Sequence, residues 1–334
     1  MKSFDLRHDL RELIILNILV FGMICVPIVY SPSLLAQFDP EYAKTIEEKT
    51  SLTQYALGGA DTCLACHRGE GLIGAENILQ TIHSIGANPQ SPFAQNNKHC
   101  QACHGPSLAH LDRDADGKRP PPTIVFDERV DAVERNKVCL ACHQNNVGQQ
   151  WHGSVHQFEQ LACSSCHKMH ATQDAVMNVN AQASVCFTCH KQQQVDLLRP
   201  TAHPVARGLL TCGDCHQPHG SSGVSMLKEN TLNETCFECH AEKRGPLLWE
   251  HAPVREDCSN CHVPHGSNHN SLLVSRPPFL CQQCHLAQFH PSTAFGGNDV
   301  APNGASRLLV NRNCMNCHSQ VHGSNHPSGA GLIR

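Results

Sequence analysis

The stretch HQFEQLACSSCHKMH, at His156–His170, contains the pattern that decides the fold of this chain. At its centre lies the pentapeptide Cys-x-x-Cys-His, here Cys163–His167, with one histidine seven residues before it and another three residues after it. The same pentapeptide occurs ten times in the 334 residues, and we number the copies motifs 1 to 10 in chain order. Ten copies of one pentapeptide indicate ten copies of one kind of site. Their first cysteines are Cys63, Cys100, Cys139, Cys163, Cys186, Cys212, Cys236, Cys258, Cys281 and Cys314.

The motifs use 20 of the 21 cysteines, and the remaining one, Cys25, precedes them all. With these frequencies of Cys and His, chance would place only about 0.1 copies in such a chain, so the ten copies are not a chance occurrence. The second cysteines of the motifs are Cys66, Cys103, Cys142, Cys166, Cys189, Cys215, Cys239, Cys261, Cys284 and Cys317. The histidines that close the motifs are His67, His104, His143, His167, His190, His216, His240, His262, His285 and His318.

The spacing within the motif matches covalent attachment of haem. Two thiols three positions apart lie on one side of a helical turn, where both can add to the vinyl groups of one haem. The histidine that follows lies on the same face and reaches the iron as its proximal ligand. Zinc sites do not require a histidine after every second cysteine, a thioredoxin-like motif needs a βαβ context that is absent, and structural disulfides would not recur as one pentapeptide. The motifs therefore predict ten covalently bound c-type haems.

The supply of histidines favours a second histidine as the other axial ligand of every iron. Beyond the first 36 residues only four methionines remain, against fourteen histidines outside the motifs. Motifs 4, 6 and 8 share a longer repeat, with a histidine seven to nine residues before the first cysteine and another three residues after the last histidine. A histidine so close behind a proximal ligand points away from its own iron, so we expect it to bind a neighbouring haem. The predicted distal ligands are His83, His110, His156, His170, His203, His219, His251, His265, His290 and His322, with His326 as the alternative to His322 or His290.

Three further histidines are expected to face solvent: His99, because it directly precedes Cys100, and His152 and His269, because they lie outside this register. Histidine in place of methionine as an axial ligand lowers the reduction potential of a haem. A chain with a histidine on both faces of every iron is therefore predicted to work at low potential.

The composition predicts a fold built around cofactors instead of a conventional core. Aromatic residues make up only 5% of the chain, and each motif has about 30 residues of chain to itself. The predicted fold class is mostly irregular, with short α-helices wrapped on a stack of haems. We predict helices at Tyr42–Tyr55, Glu128–Val138 and Leu232–His240, the last opening with a capping box of Thr231 and Glu234. A net charge of −4 without a basic block argues against binding to nucleic acid.

The N-terminus has the features of an export signal. A mildly basic start precedes the apolar stretch Leu13–Tyr30, and cleavage after Ala36 gives a signal peptide at residues 1–36. The alternative is that this segment stays attached as an anchor. No later apolar run approaches the ~18 residues that a membrane helix needs. The sequence therefore predicts export to the periplasm.

The residues around several motifs resemble the periplasmic decahaem cytochromes of the Mtr/DmsE type. The similarity covers nearly the whole mature chain and is densest at Cys239–Val254, Leu280–His285 and Asn313–Gly329. It implies two pentahaem halves, at residues 37–195 and 196–334, whose bis-histidine haems form an elongated, near-linear chain. It also implies an outer-membrane β-barrel porin-like partner, an extracellular multihaem cytochrome or reductase on one side, and a periplasmic or inner-membrane cytochrome donor on the other.

Three functions are compatible with such a chain. An electron conduit needs only closely spaced haems whose irons have both axial positions filled. A multihaem reductase needs one iron with an open axial position and nearby acid–base groups. All ten motifs end in histidine, so none has a variant sequence that would indicate such a haem. A soluble electron-storage shuttle needs no porin partner. We predict the conduit, with no catalytic residues, serving metal or sulfoxide respiration or, in reverse, iron oxidation.

Overall fold

The computed structural model describes residues 54–69, 74–145, 149–285 and 313–333, all of which belong to one unit, Gln54–Arg334. All ten motifs lie within these ranges. The signal segment, His290 and most of the predicted helix Tyr42–Tyr55 lie outside the described residues. The two described residues of that helix, Gln54 and Tyr55, are not helical.

The helices are short, and many of them coincide with a motif. The longest described helix, Ala132–Leu140, has nine residues. Among the described residues, no helix has both the length and the apolarity needed to cross a membrane. The α-helices are Gly59–Leu64, Gln101–His104, Ala132–Leu140, Gln149–Trp151, Val155–Phe158, Cys163–Cys166, Gln182–Cys186, Lys191–Asp196, Cys212–Cys215, Leu232–Phe237, Ala252–Glu256 and Phe279–Gln282.

Short 3₁₀ turns and one small sheet complete the regular structure of the described chain. Strands Thr201–Ala202 and Gly266–Ser267 pair antiparallel, with Thr201 opposite Ser267. The predicted class, mostly irregular chain with short helices, is confirmed. The 3₁₀ turns are Ala75–Gln80, Ile82–Ser84, Pro92–Ala94, Ala109–Leu111, Ala175–Met177, Pro204–Arg207, Val224–Met226, Ala241–Lys243, Cys258–Asn260, Asn270–Leu272 and Cys314–Asn316.

The helix predicted at Glu128–Val138 is displaced towards the C-terminus. It begins at Ala132, because the carboxylate of Asp131 accepts a hydrogen bond from the backbone N–H of Val133 at 2.7 Å and so caps the first turn. It ends at Leu140, inside motif 3. The prediction was therefore wrong about the first turn, since the sequence signal of the Asp131 cap was missed.

The predicted capping box at Thr231 and Glu234 is confirmed. The Thr231 hydroxyl accepts a hydrogen bond from the Glu234 N–H, and the Glu234 carboxylate accepts one from the Thr231 N–H, both at 3.1 Å. The helix ends at Phe237 and not at His240, because the chain turns out of the helix before it presents the closing histidine of motif 7.

Within the described residues, the polypeptide buries few apolar side chains on its own. The buried apolar residues are small apart from Leu64, Trp151 and Leu227. Large apolar side chains such as Phe158 and Leu198 are about three-quarters exposed, at 74% and 75%. This small polypeptide core agrees with the expectation, drawn from the low aromatic content, that bound cofactors complete the interior.

The predicted boundary between two pentahaem halves, after residue 195, falls inside the helix Lys191–Asp196. Contacts cross it, since the side-chain carbonyl of Gln182 accepts a hydrogen bond from the Gly213 N–H at 3.0 Å. The division into halves stays a prediction.

Candidate haem sites

All ten motifs share one local conformation. In each, the backbone N–H of the closing histidine donates a hydrogen bond of 2.9–3.0 Å to the carbonyl of the first cysteine, four residues earlier. This single helical turn places two thiols and one imidazole on the same side of the chain. All twenty motif cysteines carry free thiols in the polypeptide, so each motif can form two thioether bonds.

Eight of the motif histidines face a histidine from another part of the chain. The ring centroids of every such pair are 6.0–6.2 Å apart. Two imidazole–metal bonds of about 2 Å placed in line, plus the two ring radii, add up to roughly the same separation. Each pair is therefore spaced to hold one iron between its rings. The pairs are His67–His110, His83–His143, His104–His170, His156–His190, His167–His219, His216–His265, His251–His285 and His262–His322.

Seven of the eight pairs follow one of two rules. The exception is His67–His110, in which the histidine after motif 2 faces motif 1. By the first rule, the histidine that follows motif 4, 6, 8 or 10 faces the closing histidine of the motif two positions back. His170, after motif 4, thus faces His104 of motif 2. By the second rule, the histidine upstream of an even motif faces the odd motif that comes next, as His156 faces His190 of motif 5. The histidines that flank an even motif in sequence thus face two other motifs. Motif 4, for example, is linked in this way to motifs 2 and 5.

Two predicted distal histidines are not placed in such a pair by the structure. His203 donates from Nδ1 to the carbonyl of Pro264, and its partner under the second rule is His240 of motif 7. His290 lies outside the described residues.

Four other histidines that the structure describes outside the motifs are not among the eight facing pairs. His326, the alternative ligand, is exposed, and its Nδ1 accepts a hydrogen bond from the Ser328 N–H at 3.2 Å. His152 is exposed and His269 is half-buried. His99 does not face solvent as predicted: it is half-buried, stacks on Phe93 at 4.8 Å, and accepts a hydrogen bond from the Ala60 N–H at 2.8 Å.

Hydrogen bonds fix the orientation of many of these imidazoles. A carbonyl oxygen only accepts, so an Nδ1 that bonds to it carries the proton and leaves the Nε2 lone pair free for a metal. His156, for example, donates to the Pro218 carbonyl at 2.8 Å, and His251 to that of Val321 at 2.9 Å. The same arrangement occurs at His104, His110, His203, His216, His262 and His318.

Motifs 6 and 8 share one supporting turn. Ser225 and Ser271 both have left-handed backbone conformations, with φ of 53° and 57°. Their carbonyls accept the Nδ1–H of His216 at 3.0 Å and of His262 at 2.7 Å. Such backbone conformations are costly for residues other than glycine, so the turn's occurrence at both motifs indicates that it serves to orient the histidine.

Burial keeps several of the paired histidines in the neutral form that binds iron. It is the main cause that lowers the pKa of the histidines concerned, with smaller contributions from neighbouring groups. The affected residues are His83, His104, His170, His219, His265 and His322.

Contacts between cysteines join consecutive motifs in an alternating pattern. The first cysteines of motifs 1 and 2, Cys63 and Cys100, interact through a hydrogen bond between their thiols. The second cysteine of motif 2, Cys103, lies close enough to Cys142 of motif 3 for their negative forms to repel. Hydrogen bonds between first cysteines recur at motifs 3–4, 5–6, 7–8 and 9–10. Second cysteines are again close enough for their negative forms to repel at motifs 4–5, 6–7 and 8–9. Motifs adjacent in sequence are therefore adjacent in space.

Three amide side chains that the motif pattern does not predict brace these motif pairs: Asn136 and Asn233, which are buried, and Gln182, which is half-buried. The Asn136 carbonyl oxygen accepts the N–H of Cys163 at 2.7 Å and ties motif 3 to motif 4. Asn233 accepts the N–H of Cys258 at 2.7 Å and ties motif 7 to motif 8. Gln182 accepts the N–H of Gly213, inside motif 6, at 3.0 Å and ties motif 5 to motif 6. The signal was present in the sequence, since each amide precedes the first cysteine of an odd motif by three or four residues.

The polypeptide also offers partners for the polar edge of a haem. Two buried donors, the Arg135 Nε and the Trp249 Nε1, have no hydrogen-bond partner within the described polypeptide. A haem carries two propionate groups that accept such bonds. Thiol pairs, facing imidazoles and unpaired donors together fit covalently bound haem, whose iron supplies reversible one-electron chemistry.

Repeated haem-attachment motifs on a mostly irregular chain define a multihaem c-type cytochrome. The chain is 41% identical to the multiheme cytochrome MtrA of Shewanella baltica over 338 aligned residues, covering 100% of this chain and 99% of the relative. It is 23% identical to the cytochrome c-type protein NrfB of Haemophilus influenzae over 216 residues, covering 57% of this chain and 92% of the relative. Family models match as a doubled CXXCH motif at residues 203–245 and 251–289, and as a cytochrome c-type protein NrfB-like at residues 100–184.

The chain belongs to the MtrA family of multihaem cytochromes, which confirms the predicted resemblance. It is an electron-transfer protein with covalently bound c-type haems, and not an enzyme.

The number of haems gives the first testable expectation. Because all ten motifs adopt the same turn, we expect each to attach one haem. Mass spectrometry of the intact exported protein should show ten haem additions on a chain that begins near Gln37. A mass that corresponds to eight or fewer haems would contradict the assignment.

Proposed function

We propose that the ten haems are all bis-histidine ligated and form one electron path through the protein. The eight facing histidine pairs carry this proposal, since each is spaced for one iron. The second rule assigns His203 to motif 7, and His290, the tenth distal ligand predicted from the sequence, is proposed for motif 10. With both axial positions filled by imidazole, the irons are low-spin, have low reduction potentials and bind no substrate.

The order of the haems supports conduction along the chain. The alternating cysteine contacts join motif 1 to motif 2, motif 2 to motif 3, and so on to motif 10. A haem held by each motif would be bonded to these sulfurs through its two vinyl-derived carbons, so neighbouring sulfurs would bring the edges of consecutive macrocycles together. Electrons can therefore pass from one end of the series to the other without leaving it.

The place we propose for this path is the outer membrane. The signal-like N-terminus favours export to the periplasm, and the MtrA family includes a full-length relative of this chain. Ten macrocycles of about a nanometre each could extend over roughly 100 Å, against about 40–45 Å for a bilayer with its headgroups. The cytochrome would lie within a porin-like outer-membrane partner whose polar lumen accepts a polypeptide of modest net charge.

In this position the cytochrome connects two groups of partners. A periplasmic or inner-membrane cytochrome exchanges electrons at one end, and an extracellular multihaem cytochrome or reductase exchanges them at the other. Flow outwards serves respiration on metals or sulfoxides, and flow inwards serves iron oxidation. The alternative, a soluble electron-storage shuttle, requires no porin-like protein.

Liposomes that enclose a redox dye test this function. The cytochrome is incorporated together with the porin-like protein that copurifies with it, and a membrane-impermeant reductant is added outside. We expect the enclosed dye to be reduced only when both proteins are present. Equal dye reduction with the cytochrome alone, or none with the pair, would contradict the conduit, and failure of any porin-like protein to copurify would favour the shuttle.

A further inference from the structure

We propose that Asp174 holds the reduction potential of the haem at motif 4 below the value that this haem would have without the carboxylate. The proposal rests on the ligation proposed above, in which His167 and His219 bind that iron. Asp174 is a positioning residue in this account, since it acts on the iron through His167.

The carboxylate is fixed against the proximal histidine. Its Oδ2 accepts a hydrogen bond from the Nδ1 of His167 at 2.7 Å, and its Oδ1 accepts one from the backbone N–H of Lys168 at 3.2 Å. The side chains of Asp174 and His167 are only 16% and 27% exposed. A negative charge therefore lies next to the ligand, partly shielded from water.

The equivalent positions of the other repeats lack this charge. In motifs 6 and 8 the Nδ1–H of the closing histidine is accepted by the backbone carbonyls of Ser225 and Ser271. The acceptor for His167 is a carboxylate, whereas the acceptors for His104, His216 and His262 are backbone carbonyls. His240 lies 3.9 Å from Glu242, which is beyond hydrogen-bond distance, and both side chains are more than half exposed.

A carboxylate acceptor and a carbonyl acceptor have different effects on the iron. A carboxylate makes the imidazole more basic and thus a stronger electron donor to the metal. The ferric haem also carries one more positive charge than the ferrous haem, so a nearby anion stabilises the ferric state. Both effects act in the same direction and lower the reduction potential of the haem at motif 4.

A low-potential haem at this position makes one step of the electron path uphill. Motif 4 lies between motifs 3 and 5, whose closing histidines, His143 and His190, have no such carboxylate contact among the described residues. Asp174 therefore makes the haem at motif 4 harder to reduce, relative to its neighbours, than it would be without the carboxylate. Asp174 would then set the driving force at which electrons cross the middle of the chain.

Potentiometric titration of the intact holoprotein, followed by absorption, tests the proposal. We expect Asp174→Asn to move one of the ten one-electron components to higher potential. The equilibrium constant for its reduction should rise about tenfold to a hundredfold, which is a shift of about 60–120 mV at 59 mV per tenfold. Asp174→Glu, which keeps the charge, should retain the wild-type curve. Glu242→Gln, which removes a carboxylate near His240 that makes no hydrogen bond, is the matched control and should also leave it unchanged.

A curve for Asp174→Asn that superimposes on the wild type would overturn the proposal. So would an equal shift in Asp174→Glu, because the effect would then come from geometry and not from charge. If Asp174→Asn does not assemble, Asp174→Ser, which keeps a neutral acceptor, is titrated in its place with the same expected rise. A high-spin iron in the wild-type protein would instead refute the proposed ligation, so the two failures are distinguishable.

Discussion

Replacing His322 by alanine is expected to convert one of the ten haems from low spin to high spin. The ring of His322 lies 6.1 Å from that of His262, with the two planes inclined by only 15°. Burial lowers the pKa of His322 and keeps it neutral for binding. Without this imidazole, the iron at motif 8 has one axial position free for water or an added ligand. Paramagnetic resonance should show a high-spin ferric signal of about one iron per chain.

His326→Ala is the matched control, since this histidine was the alternative ligand by sequence. The segments HGSNH at 265–269 and at 322–326 are identical, and in both the second histidine donates its backbone N–H to the preceding serine Oγ at 3.0 Å. We expect His326→Ala to leave every haem low-spin. A high-spin signal in His326→Ala would contradict the assignment. In the double variant, which lacks both His322 and His326, His326 cannot take the place of His322. If neither His322→Ala nor this double variant shows a high-spin signal, the assignment is also contradicted.

Replacing Asn233 by alanine is expected to give the second large effect, a loss of stability. The amide oxygen of Asn233 accepts the N–H of Cys258, and its Nδ2 donates to the carbonyls of Val254 and Arg255 at 3.0 and 3.1 Å. The residue is buried, so its removal leaves backbone groups without partners. Such groups cost about 1–3 kcal/mol each. The free energy of unfolding should fall by about 2–4 kcal/mol, which lowers the thermal midpoint by about 5–10 °C.

Asn230→Ala is the control for this prediction. Asn230 is exposed, and its carbonyl oxygen accepts a hydrogen bond from the Ser222 hydroxyl at 2.7 Å. A surface change of this kind alters stability by no more than about 0.5 kcal/mol. Thermal unfolding of both holoproteins, followed by circular dichroism, makes the comparison. Equal midpoints for the two variants would show that Asn233 does not brace motifs 7 and 8.

The sequence predicted the local chemistry of this protein better than its three-dimensional order. The Cys-x-x-Cys-His repeat is sufficient to predict the shared turn, because that turn depends on residues four positions apart. The histidines behind motifs 4, 6 and 8 were expected to face a neighbouring haem. The structure pairs them with the motif two positions back, as His265 with His216. That skip results from the packing of distant segments, which spacing along the chain does not encode.

The residues that support the ligands were not predicted, for a related reason. Asn136 and Asp174 act on groups 27 and seven residues away, the Cys163 N–H and the His167 Nδ1. Neither belongs to the motif, so neither is distinguished by composition or charge. His99 was expected to face solvent because it precedes Cys100 directly, yet its Nδ1 accepts the N–H of Ala60, 39 residues earlier. In each case a hydrogen bond to a group beyond the residue's immediate neighbours decides the role of the side chain.

The central claim is that ten motifs hold ten haems whose irons all have histidine on both faces. Paramagnetic resonance of the fully oxidised wild-type holoprotein, on material whose mass shows the haem count, tests it most directly. The account predicts ten haems per chain, only low-spin ferric signals, and no change in them when cyanide or another small ligand is added. A high-spin ferric signal that integrates to one iron or more per chain would contradict it.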